Sequence, residues 1–115
     1  MSSKFTEIAV DPNNPVIQIE EMASHASEAA KLLRALANEN RLMILCALVG
    51  KEMSVSDLNT RVTLSQSALS QHLAVLRKDN IVKTRRQSQT ILYSLAQEQT
   101  TRIIQVLQEL YCSTD

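Results

Sequence analysis

A mainly α fold carrying one two-stranded β-wing is what this 115-residue sequence predicts, and three observations carry the prediction. A leucine stripe with a short polar face opposite it runs from Gln66 to about Asp79. A basic hairpin rich in β-branched residues follows it at once. The remaining chain shows mostly helical spacing, with one Gly and two Pro to interrupt it.

The elements follow in order. Both prolines, Pro12 and Pro15, lie in a stretch without periodicity, so residues 1–16 are expected to be a flexible N-terminal arm and 17–115 a single domain. Ile17 to Ala37 spaces Met22, Ala26, Ala29, Leu32, Leu33 and Leu36 as one helix does. Asn38 is a good cap for a second helix, Arg41 to Val49, which is apolar nearly all round and therefore expected to be central; Gly50 ends it. Ser54-Val-Ser-Asp57 has the cap-plus-acid spacing that opens a third helix, running to about Arg61, and Val62-Thr-Leu64 is a turn.

Ser65 then caps the fourth helix, and Asn80 closes it as a left-handed residue. At about 100° per residue, Leu69, Leu73 and Leu76 form the buried stripe, while Ser67, Ser70, Gln71, Ala74 and Lys78 fall opposite. Ile81 to Arg86 and Thr90 to Leu95 are strands, with Gln87, Ser88 and Gln89 as a polar tip lacking the usual glycine turn signal, so the register is open. The fifth helix, Gln97 to Tyr111, shows Ile103, Ile104, Val106, Leu107, Leu110 and Tyr111, a face broader than one packing stripe. A symmetric dimer would cover it.

A helix–turn–helix followed by a basic wing points to DNA. The N-terminal half of the fourth helix exposes Gln66, Ser67, Ser70 and Gln71 without a carboxylate. Glutamine can pair with adenine through two hydrogen bonds, and serine can bond to bases or backbone. A solvated polar surface explains the helix alone equally well. It does not explain the charge beside it: residues 61–86 hold Arg61, Arg77, Lys78, Lys83, Arg85 and Arg86 against Asp79 alone, in a chain of net charge +0. Such local charge favours one docking orientation and salt-sensitive binding. Candidate DNA contacts are Gln66, Ser67, Ser70, Gln71, His72, Arg77, Lys83, Arg85, Arg86, Gln87, Ser88 and Gln89. A dimer would set two such helices about one DNA turn apart, on a pseudo-palindromic operator.

Other classes fare worse. No signal peptide is visible, and the longest apolar run, Leu42 to Val49, is too short to span a bilayer, so a cytoplasmic protein with no membrane partner is expected. Two histidines and no glycine-rich loop offer a cysteine nucleophile little help, so no enzyme and no catalytic residue are expected. A helical dimer that binds another protein and no operator is the different-class alternative.

Three blocks in order, Leu33-Arg-Ala-Leu-Ala-Asn-Glu-Asn-Arg-Leu-Met-Ile-Leu45, Leu64-Ser-Gln-Ser-Ala-Leu-Ser-Gln-His-Leu-Ala-Val-Leu-Arg77 and Arg85-Arg-Gln-Ser-Gln-Thr-Ile-Leu-Tyr-Ser-Leu95, resemble the ArsR/SmtB transcriptional repressors. The resemblance covers about Ala23 to Cys112 and implies a homodimeric winged helix-turn-helix of four helices, two strands and a fifth helix. Ile44-Leu-Cys46 and Leu110-Tyr-Cys112 make the chain most similar to the branch containing BigR, SqrR and HlyU. That likeness implies that Cys46 and Cys112 react with persulfides or other reactive sulfur species, or with oxidants, to form a disulfide or polysulfide bridge that lowers operator affinity. Sequence separation alone predicts no bridge, since the Cα atoms must come within about 7 Å. Among Leu45, Ala47 and Leu48, Cys46 also reads as a small buried hydrophobe.

Metal sensing is the rival within the family. The region matching the usual thiolate pair is Ser54-Val-Ser-Asp-Leu58, and the last helix has no His, so no metal and no cofactor are expected. A non-standard site from Cys46, Cys112 and His25 stays open on sequence; His25 otherwise reads as a surface residue.

Overall fold

The computed structural model describes residues 16–112. The expected arm lies outside these apart from Val16. Five helices and one hairpin follow in the predicted order: α1 (Ile19–Leu36), α2 (Glu39–Leu48), α3 (Val55–Arg61), α4 (Gln66–Lys78), β1 (Val82–Gln87), β2 (Thr90–Leu95) and α5 (Glu98–Tyr111). No helix among them is long and apolar enough to cross a membrane.

Local chemistry sets most boundaries. Asn38 Oδ1 accepts from the backbone N–H of Asn40 at 2.9 Å and of Arg41 at 3.1 Å, opening α2. Ser54 accepts from Asp57 N–H and Ser65 from Ala68 N–H, each at 3.1 Å, so both helices of the helix–turn–helix begin on a serine that satisfies one otherwise unpaired donor. Gly50 (φ 70) and Asn80 (φ 60) take the left-handed conformation that stops α2 and α4.

The core is aliphatic and shared by every element. Leu32, Ala35 and Leu36 of α1, Ile44, Leu45 and Leu48 of α2, Leu58 of α3, Leu69, Leu73 and Leu76 of α4, Ile81 and Val82 at the wing base, and Ile104 of α5 are buried together. The leucine stripe of α4 is wholly inaccessible. The second helix departs from expectation: it is central on one side only, and Met43 and Cys46 are exposed on the other. Met22 and Leu33 of α1 and Val106, Leu110 and Tyr111 of α5 are exposed as well.

The hairpin is antiparallel, Val82 opposite Leu95 and Gln87 opposite Thr90. Gln87 therefore ends a strand, and the tip is only Ser88 and Gln89. Ser88 adopts φ 57 in the turn, which explains how a two-residue connection forms without glycine. Met53 pairs with Tyr93 through reciprocal bonds of 2.9 and 2.8 Å, laying one more rung along β2.

Candidate nucleic-acid interface and dithiol

The helix–turn–helix is braced across its turn. The side-chain amide of half-buried Asn59 on α3 donates to the Leu64 carbonyl at 2.7 Å, tying α3 to the entry of α4. Burial of Leu69, Leu73 and Leu76 then fixes which way α4 is turned. Gln66, Ser67, Ser70, Gln71, Ala74, Arg77 and Lys78 are all exposed, and helical geometry gathers them on one continuous face. His72 is half-buried and lies on the opposite flank of the leucine stripe, about 60° from it. The structure does not bring it to the polar face.

Alternation along β1 sorts the wing. Val82 and Thr84 face inward with Leu95 and Tyr93, while Lys83, Arg85 and Gln87 leave the other face. Arg86 shares the register of the inward set but sits near the tip and is exposed, so the two neighbouring arginines splay to opposite faces. Ser88 and Gln89 are exposed at the turn.

Arg85 is not a free cation. Its guanidinium holds the carboxylate of Glu52 through bonds of 2.7 to 2.9 Å. The hydrogen bond from Arg85 holds the Glu52 carboxyl below its ordinary value; desolvation opposes this, and the charges of Arg85 and then Lys83 add to the lowering. The carboxylate reciprocally raises the Arg85 pKa. Glu52 lies upstream of residues 61–86, so the excess of basic residues there is partly offset by a carboxylate outside that stretch.

The cysteines lie elsewhere. Cys46 is exposed on α2 and Cys112 is exposed just past α5, where its N–H donates to Gln108 O at 2.8 Å; both are free thiols. The placement of Cys46 sets aside its reading as a buried hydrophobe. Partial burial raises the Cys46 pKa, and the charge of Cys112 raises it further. His25 is exposed on α1. Among the described residues no three His, Cys, Asp or Glu side chains form a group able to hold a metal ion.

Comparison with known proteins bears on the fold and the family. Residues 38–84 match the profile described as bacterial regulatory protein, arsR family. The transcriptional activator HlyU of Vibrio cholerae is 46% identical over 99 residues, an overlap of 86% of this chain and 92% of that protein. The crystal structure of the transcriptional repressor BigR from Xylella fastidiosa superposes with a TM-score of 0.77 at 37% identity, covering 85% of this chain and 100% of that one. A homodimeric winged helix-turn-helix DNA-binding domain from Mycobacterium bovis superposes with a TM-score of 0.68 at 28% identity, covering 81% of this chain and 86% of that one.

Proposed function

The chain belongs to the ArsR family of bacterial regulatory proteins, and from that premise we propose that it is a cytoplasmic homodimer whose grip on operator DNA loosens when Cys46 and Cys112 are bridged. A DNA-binding transcriptional regulator, not an enzyme, is the coarser statement that family membership carries. In the finer reading each subunit sets Gln66, Ser67, Ser70 and Gln71 in a major groove, and the wing, Lys83 to Gln89, tracks the adjacent backbone or minor groove.

The observation that supports the switch is that both thiols are exposed and unbridged, with the charge of Cys112 acting on Cys46 from an element far off in sequence. Cys46 thiolate takes the terminal sulfur of a persulfide, RSSH, leaving RSH and a Cys46 persulfide. Cys112 thiolate then attacks the sulfur attached to the Cys46 side chain, forming the disulfide and expelling hydrogen sulfide. Where the Cys46 persulfide first takes a second sulfur from another RSSH, releasing a second RSH, attack of Cys112 thiolate on the middle sulfur of that trisulfide chain expels hydrogen sulfide and leaves a trisulfide bridge. Because burial raises the Cys46 pKa, its thiolate fraction, and with it the first step, keeps rising with pH beyond the range of an ordinary thiol.

A bridge ties the end of α5 to α2, and α5 carries the exposed Val106, Leu110 and Tyr111 that a second subunit would cover. Repacking there changes the spacing of the two α4 helices. A differential affinity of about 2 to 3 kcal/mol between the two states corresponds to a roughly 30- to 150-fold loss of binding.

The test uses an operator selected from a randomised duplex pool by the reduced dimer. Cys46→Ser is expected to bind it like the wild type and to stay bound when persulfide is added, with intact mass showing no bridge. Normal release by the Cys46→Ser variant would remove the dithiol from the mechanism.

A further inference from the structure

Glu52 and Arg85 meet because of the extra rung along β2. With Met53 opposite Tyr93 and buried, Glu52 leaves the other face of that rung, across β2 from Lys83. Arg85 leaves β1 on the face of Lys83, one pleat further on, and the two side chains close over the strand between them.

The way they close is informative. Nε donates to Oε1 at 2.9 Å and to Oε2 at 2.7 Å, and Nη2 donates to Oε1 at 2.8 Å. The carboxylate therefore occupies the side edge of the guanidinium. The end edge, Nη1 with the second N–H of Nη2, has no hydrogen-bond partner among the described residues. An arginine end edge is a fork of parallel donors that suits two acceptors at once, whether phosphate oxygens or the edge of a base.

We propose that Glu52 is a positioning residue for DNA recognition, gripping Arg85 by its side edge so that the end edge is presented, already oriented, to a pair of acceptors on the nucleic acid. The proposal rests on the reading that the wing meets DNA. It makes a prediction of sign. As a charge alone, a carboxylate beside the wing repels phosphate, and removing it would tighten binding. As a brace, it removes in advance the rotamer freedom that a long side chain otherwise loses on binding, and removing it weakens the complex. The pair is too exposed to matter much for folding, so its substitution leaves the domain intact.

The experiment measures binding of full-length reduced protein to the selected operator and to a scrambled duplex across a salt series, for wild type, Glu52→Gln, Arg85→Ala and the double variant. Glu52→Gln is expected to lower operator affinity roughly 3- to 10-fold, the scale of ordering one rotamer-rich side chain at an interface, although it removes a negative charge. In the Arg85→Ala background the same substitution is expected to cause no loss. The Arg85 Nε–H resonance of the free protein is expected to be distinct in the wild type and to average with solvent in Glu52→Gln. A loss confined to the operator assigns the end edge to a base; an equal loss on both duplexes assigns it to phosphate. Tighter binding by Glu52→Gln in both backgrounds would overturn the brace and leave Glu52 a repelling charge. Wild-type binding by Arg85→Ala would overturn the wing contact itself, and the brace with it, and is told apart because the arginine substitution alone is then silent.

Discussion

The half of the molecule that faces DNA in our reading, from α3 through the wing, and the half that carries α1, the outer side of α2, and α5 are finished differently. In the first, both helices start on a serine cap, Asn59 bridges the turn, and Glu52 holds Arg85. In the second, Asn38 caps α2, but Gln18 and Gln97 precede α1 and α5 with no side-chain cap bond, and Met22, Leu33, Met43, Val106, Leu110 and Tyr111 stand exposed. A recognition surface has to be shaped before it meets its ligand, so its own chain supplies the bracing. A surface that is to change its packing is completed by something outside the chain, and both thiols lie on that half.

The largest expected effect comes from spoiling the unfinished half. Leu110 is 70% exposed on α5, so Leu110→Glu should leave the folded subunit intact while placing a charge where a second copy would pack. Analytical ultracentrifugation is expected to show a monomer, and operator affinity to fall about 100-fold or more, because two linked half-site contacts become one. A Leu110→Glu protein that stays dimeric with wild-type affinity would break the contrast between the halves.

Next in size is a cap in the finished half. Ser65→Ala removes the acceptor for Ala68 N–H at the start of α4 and is expected to cost about 1 kcal/mol in chemical denaturation. The same loss falls on the end of the helix that presents Gln66 and Ser67, so operator binding should weaken with stability. The corresponding change at Gln97→Ala, where no cap bond exists, is expected to be smaller at the cap itself, although its amide bond to Asn80 O would also go.

Those caps explain what sequence could disclose. Asn38, Ser54, Ser65 and Asn80 act within two or three residues of themselves, and the leucines of α4 repeat within one helix, so their signals are local. The pairing of Glu52 with Arg85 spans 33 residues, and no local pattern announces it. The same holds for the Met53–Tyr93 rung, which decides the face from which Glu52 emerges. At the tip, Ser88 adopts a positive φ without being the glycine or asparagine that would have signalled it. The outer side of α2 is illegible for a related reason: Met43 and Cys46 are apolar enough to look like core, and only the arrangement of neighbouring helices leaves them uncovered. The placement of His72 beside the leucine stripe, by contrast, follows from helical periodicity alone, and its half-burial agrees with that place.

The smallest effect tests the seam between the halves. Thr100, in the first turn of α5, is fully buried, and its hydroxyl has no hydrogen-bond partner. Valine has nearly the same shape without the polar atom, so Thr100→Val should remove a desolvation cost. The gain is expected to be at most about 1 kcal/mol, the low end of the cost of burying one unpartnered neutral polar atom. A rise in the thermal midpoint reads that gain. The consequence for regulation is more telling than the stability itself. If a bridge between Cys46 and Cys112 works by shifting α5 on the core, firmer seating of α5 opposes the shift, and persulfide should release less DNA from Thr100→Val than from wild type. A more stable variant with an unchanged response would mean that the strain of the bridge is taken up at the very end of α5, beyond the turn that Thr100 anchors.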